Sequence, residues 1–118
     1  MTKTTVYGIR NCETMKKAFR WLEEHGIDYA FHDYKKEGAD KDLLRRAIDE
    51  NGWENALNRK GTTWRALPDA VKDGMTDKRA LAAAAGNPSV IRRPIVTRGA
   101  KMLVGFDEAA FANFFGKN

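Results

Sequence analysis

Cys12 is the residue of this chain whose type and setting point most directly to covalent chemistry. It lies within Tyr7-Gly8-Ile9-Arg10-Asn11-Cys12-Glu13-Thr14-Met15. Upstream, Thr4, Thr5 and Val6 have strand character. Downstream, Met15, Ala18, Phe19 and Leu22 fall at the i, i+3, i+4, i+7 spacing of a helix with one buried face. The sulfur is therefore expected in a turn between a strand and a helix start. There the first N–H groups lack intrahelical partners and carry the positive end of the helix dipole. Both effects favour a thiolate, the nucleophilic form of cysteine. Any fall from the ordinary thiol pKa of about 8.5 raises the reactive fraction at neutral pH. An isolated cysteine can instead be an inert small hydrophobe. Asn11, Glu13 and Thr14 argue against that here, because they suit a helix start and do not suit a core strand.

The count of cysteines constrains the mechanism. One thiol forms no intramolecular disulfide, which fits a reducing compartment. If Cys12 is oxidised in turnover, the resolving thiol must come from another molecule, such as glutathione, a glutaredoxin or a thioredoxin. No tightly bound cofactor is implied. His25 and His32 lack a second ligand nearby in sequence and read as structural or surface residues, so no metal is expected.

A chain of 118 residues, 42% hydrophobic and 31% charged, is the size and composition of one globular domain. The formal charge of +5 favours anionic partners in general, and the expected substrate is an anionic or disulfide small molecule. Its basic and acidic residues are interleaved, as in Asp40-Lys41-Asp42, so no direct nucleic-acid contact is expected. The first residues have no apolar signal core, and the small-apolar run 80–85 is far too short to span a bilayer. A cytoplasmic protein with no membrane contact is the expectation.

The elements that must position Cys12 follow from periodicity. A helix is predicted over about 14–25, ending at Gly26, and an aromatic-rich strand over 27–34. Strand, helix and strand make a βαβ unit with parallel strands. A charged connector (35–40) precedes a helix over 41–51. Short helical pieces follow near 53–57 and 62–67, flanking the basic loop Asn58-Arg59-Lys60-Gly61, then a helix over 77–85. Strands 95–97 and 102–106, joined by a short turn, must be antiparallel, and a final helix opens at Asp107. The order βαβ, helices, ββα is an α/β class. Without the helical insertion, approximately 37–91, it leaves a thioredoxin-like mixed sheet in a single domain over 1–118.

Several motifs now combine. Cys12 after a first strand, Ala56-Leu57-Asn58-Arg59-Lys60 in the middle and Ile91-Arg92-Arg93-Pro94-Ile95-Val96 late in the chain resemble the arsenate reductase (ArsC) family, which includes the Spx regulators. Tyr7 to Cys12, Phe31-His32-Asp33-Tyr34, Gly61-Thr62-Thr63-Trp64-Arg65 and Gly105-Phe106 resemble its YffB-type branch. The resemblance implies a nucleophilic Cys12 and a basic pocket from Arg59 and Arg93. Asn11 and Lys16 are further candidates for anion binding, and Arg92 another. It also implies a proline entering the late hairpin, usually cis in thioredoxin-like folds, for which Pro94 is the candidate.

The implied function is a glutathione-dependent thiol reductase. The alternatives are an arsenate reductase proper, or a non-catalytic Spx-like regulator binding RNA polymerase. Two departures bear on these. Family arsenate reductases carry a further arginine on the last strand, and 102–106 has none. Spx regulators use a second cysteine three positions after the first, where this chain has Met15.

Overall fold

A computed structural model describes residues 3–117. In chain order it contains β1 (Thr4–Gly8), α1 (Glu13–Glu24), β2 (Ala30–Asp33), α2 (Tyr34–Glu37), α3 (Lys41–Asn51) and α4 (Trp53–Ala56). There follow α5 (Thr62–Arg65), α6 (Asp69–Asp73), α7 (Asp77–Gly86), a 3-10 turn at Pro88–Val90, β3 (Ile95–Arg98), β4 (Lys101–Val104) and α8 (Glu108–Phe115). Two units emerge. One is a sheet unit, built from the chain up to Tyr34 and from Arg93 onward; the other is a helical unit, Lys35–Arg92. Among the described residues no helix is long and apolar enough to cross a membrane.

In the sheet unit the strand order is β2-β1-β3-β4. β1 runs parallel to β2, with Gly8 opposite Asp33, and antiparallel to β3, with Val6 opposite Val96 and Tyr7 opposite Ile95. β3 and β4 form the expected antiparallel hairpin. This is the mixed sheet of a thioredoxin-like α/β fold. Alternation along β1 puts Val6 on the face that Met15, Ala18, Trp21 and Leu22 of α1 cover, together with Val96 and Phe111 of α8. Each large side chain removed from water there contributes about 1.5–3 kcal/mol. Trp21 meets Phe111 edge-on at 5.4 Å, the arrangement aromatic quadrupoles favour.

The helical unit is organised by α3, which packs on α4 and α7. Leu43, Leu44, Ala47 and Ile48 form its buried stripe. Asp40 caps it by accepting from the Asp42 N–H at 2.9 Å, and Thr76 caps α7 through the Arg79 N–H at 3.2 Å.

Three local expectations need correction. The strand expected over 27–34 is only Ala30–Asp33. After α1, Gly26 adopts φ 65° and the Ile27 N–H donates back to the Leu22 carbonyl at 3.0 Å, a Schellman-type helix end. Ile27 and Tyr29 still pack on the core, so their apolar character is real but their backbone stays outside the ladder. At the other end Tyr34, expected as the last strand residue, opens α2, which runs into the connector expected over 35–40. A further helical turn, α6, follows Pro68. Proline is tolerated at the edge of a first turn, and Asp69 there suits the dipole.

Candidate active site

Backbone register builds the site before any side chain is considered. Cys12 follows β1, and β3 begins at Ile95 opposite Tyr7, near the end of β1. Arg93 and Pro94 therefore enter the sheet at the edge where Cys12 lies. The Arg93–Pro94 peptide bond is cis. The Pro94 carbonyl accepts from the Gly105 N–H at 2.8 Å, which ties this entry to the end of the hairpin.

Cys12 is itself the N-cap of α1, extended at φ −147° and ψ 131°. Its carbonyl accepts the first helical hydrogen bond from the Lys16 N–H at 3.0 Å, and its own N–H donates to the Arg10 carbonyl at 3.1 Å. A sulfur thus stands at the N-cap position, where it makes no capping hydrogen bond but lies close enough to the first-turn N–H groups for them to act on its charge. The half-buried side chain packs at the margin of the core. Partial burial is the largest single influence on its pKa and pushes the thiol up. It is outweighed by the Met15 N–H, by the hydrogen bond and charge of Arg93, and by the Thr14 N–H, all of which favour the anion. The balance holds the thiol below its ordinary value.

Met15 serves this arrangement twice. Its N–H faces the sulfur, and its fully buried side chain lies against Gly8. A Cβ on Gly8 would stand 2.6 Å from both Sδ and Cε of Met15, so this glycine is needed for close approach. Gly8→Ala should therefore lower stability by about 1 kcal/mol, because the flexible thioether absorbs part of the overpacking. Thermal unfolding monitored by circular dichroism will show it as a melting point several degrees lower; an unchanged melting point would refute the contact.

The other candidates have distinct settings. Arg59 belongs to the helical unit, on the basic loop 58–61. Its guanidinium lies 5.8 Å over the Trp53 ring, which stacks on Trp64 at 5.7 Å. The loop is pinned by an isolated bridge between Leu57 and Ile91, by the Asn58 N–H donating to Val90 at 2.8 Å, and by the Arg92 N–H donating to Ala56 at 2.9 Å. Lys16 is exposed and pairs with Glu13 at 3.6 Å. Asn11 is exposed beside Cys12, and Arg92 is exposed.

His25 donates from Nδ1 to the Trp21 carbonyl at 2.8 Å and stacks on the Trp21 ring at 3.9 Å. His32 packs between the rings of Tyr7, at 5.2 Å, and Tyr34, at 6.1 Å. Among the described residues no group of three His, Cys, Asp or Glu side chains is placed to hold a metal ion.

Sequence reasoning gave Tyr34 no site role: it was read as the end of a strand and as part of a motif of the family resemblance. It is buried, and burial together with Tyr7 holds its phenol well above the ordinary range while the Arg93 charge acts in the opposite direction. No periodicity marks it, because it sits where strand gives way to helix.

Comparisons with known proteins place the chain in a family. The ArsC family model matches residues 7–114. A solved structure named YffB superposes with a TM-score of 0.90 at 45% identity, covering 94% of this chain and 97% of that one. The solution structure of an arsenate reductase (ArsC) related protein from Brucella melitensis superposes with a TM-score of 0.76 at 48% identity, covering 96% and 94%. Among curated relatives, the global transcriptional regulator Spx of Streptococcus pyogenes is 26% identical over 116 residues, covering 97% of this chain and 86% of its own. A cysteine-bearing strand-to-helix turn faced by an arginine from the hairpin entry, and a family match across nearly the whole chain, lead to one placement: this protein belongs to the ArsC family and is arsenate reductase-like.

Proposed function

We propose that the protein is a glutathione-dependent thiol reductase in which Cys12 is the nucleophile. The observation that carries the reading is the convergence of the Met15 and Thr14 N–H groups and the Arg93 guanidinium on one sulfur. The thiolate attacks the glutathione sulfur of a mixed disulfide, RS–SG. That S–S bond breaks, RS⁻ leaves with the electron pair and takes a proton, and Cys12 carries the glutathione. A second glutathione thiolate then attacks the glutathione sulfur of the adduct, releasing oxidised glutathione and returning Cys12 as thiolate. The balance is RSSG + GSH → RSH + GSSG. The features that ionise Cys12 also make it a good leaving group in the second step.

Arg93, with Asn11 and Lys16 of the same unit, supplies cationic and polar groups for the carboxylates of glutathione; Arg59 is a candidate from the family resemblance alone. A glutaredoxin or thioredoxin is the alternative electron donor. Such chemistry belongs in a reducing compartment, the cytoplasm. To test the reading, the protein is incubated with oxidised glutathione and its intact mass is recorded. One glutathione per chain is expected, on Cys12; an unmodified protein would refute the proposal.

Arsenate is a second candidate substrate, favoured by Arg93 beside the thiolate and by the name of the Brucella relative. β4 is Lys-Met-Leu-Val and brings no further arginine, so the oxyanion cage is incomplete on that side. Turnover in a glutaredoxin-coupled arsenate assay would favour this reading. A redox switch like that of the Spx regulators is disfavoured, because the second position holds a methionine buried in the core.

A further inference from the structure

The β1–β2 ladder closes with Gly8 opposite Asp33, and Tyr34 is the next residue. It therefore stands at the end of the parallel strands from which the chain continues to Cys12. Its side chain is only 3% exposed, yet its hydroxyl has no hydrogen-bond partner among the described residues. A buried hydroxyl left in that state costs free energy that a phenylalanine would not. The ring is held at 6.1 Å from that of His32, so the residue is fixed by packing and does not reach solvent.

Two lines converge on its counterpart. Arg93 enters the sheet at the same edge, and its charge acts both on the Tyr34 phenol and on the Cys12 sulfur. A guanidinium can only donate, and a phenol oxygen has lone pairs to accept.

We propose that Tyr34 is a positioning residue for Arg93: its phenolic oxygen accepts a hydrogen bond relayed from the guanidinium through one water, and so holds Arg93 turned onto Cys12. This deepens the thiolate reading and rests on it. The single guanidinium links a buried acceptor on one side to the reacting sulfur on the other. Its rotamer is then set before substrate arrives.

The test is Tyr34→Phe, which keeps the ring and removes the hydroxyl. Alkylation of Cys12 by iodoacetamide is followed against pH, together with thermal unfolding. The variant should alkylate about three- to tenfold more slowly at slightly acid pH, the scale of one hydrogen bond, and reach the wild-type rate at high pH. In an Arg93→Gln background the same change should have no further effect. A wild-type profile already shifted to low pH, with Tyr34→Phe superimposed on it, would overturn the positioning role alone. So would an equal slowing in the Arg93→Gln background. A wild-type profile like that of a free cysteine would overturn the thiolate reading as well.

Discussion

Replacing Cys12 with serine should abolish the glutathione adduct and slow thiol-dependent turnover by at least about a thousandfold, because a hydroxyl offers no anion at neutral pH in this setting. The same substitution should leave the fold intact. Position 12 is the N-cap of α1, extended and half-buried, and serine is among the residues most favoured there. Its oxygen can accept from the Met15 or Thr14 N–H that the sulfur now faces. The melting temperature is therefore expected to stay level or rise slightly while activity disappears. Loss of both together would show that Cys12 acts mainly as a packed core residue, contrary to its role as nucleophile.

The second large effect concerns charge. Arg93→Gln keeps a polar side chain of similar length but removes the cation beside Cys12. Burial, which already pushes the thiol up, is then opposed only by the two backbone N–H groups. The thiolate should become scarcer at neutral pH, and the alkylation rate there should fall by about tenfold, the scale of a charge-assisted hydrogen bond. The sign of the pH dependence follows directly. The wild-type rate rises as pH passes the lowered thiol pKa and levels off early. The variant keeps rising to higher pH, and the two meet once both thiols are ionised. A uniform loss at every pH would mean that Arg93 acts on the attacking reagent, and not on the ionisation of Cys12.

Much of this site was legible in the sequence, and for a local reason. Strand-forming residues, then Cys12, then apolar positions at helical spacing require no long-range information, so the placement of the sulfur at a strand-to-helix turn could be read directly. What was not legible locally is that Cys12 is the capping residue itself; the helix was expected to begin at about Thr14, yet Glu13 is its first residue. A one-residue difference decides whether the sulfur faces the first N–H groups.

Arg93 reached the list of candidates through family resemblance and not through spacing. Its partnership with Cys12 depends on β3 pairing with β1 across most of the chain, and no short-range pattern encodes that pairing. Tyr34 was hidden for a related reason. Aromatic residues over 27–34 suggested one long strand, but the helix-end hydrogen bond of Ile27 shortened it at the start, and Tyr34 turned into α2 at the end. The helical pieces of the middle were easier to read, since Asp40 and Thr76 are recognisable caps. Two escaped: α6, behind a proline that ordinarily signals a break, and α2, within the expected charged connector.

The most direct test of the central claim is a titration of the Cys12 thiolate by its ultraviolet absorbance across pH in the native protein. A midpoint below the ordinary cysteine value of about 8.5, moving upward in Arg93→Gln, is the predicted result. A midpoint at or above that value, insensitive to Arg93, would contradict the assignment of Cys12 as an activated nucleophile.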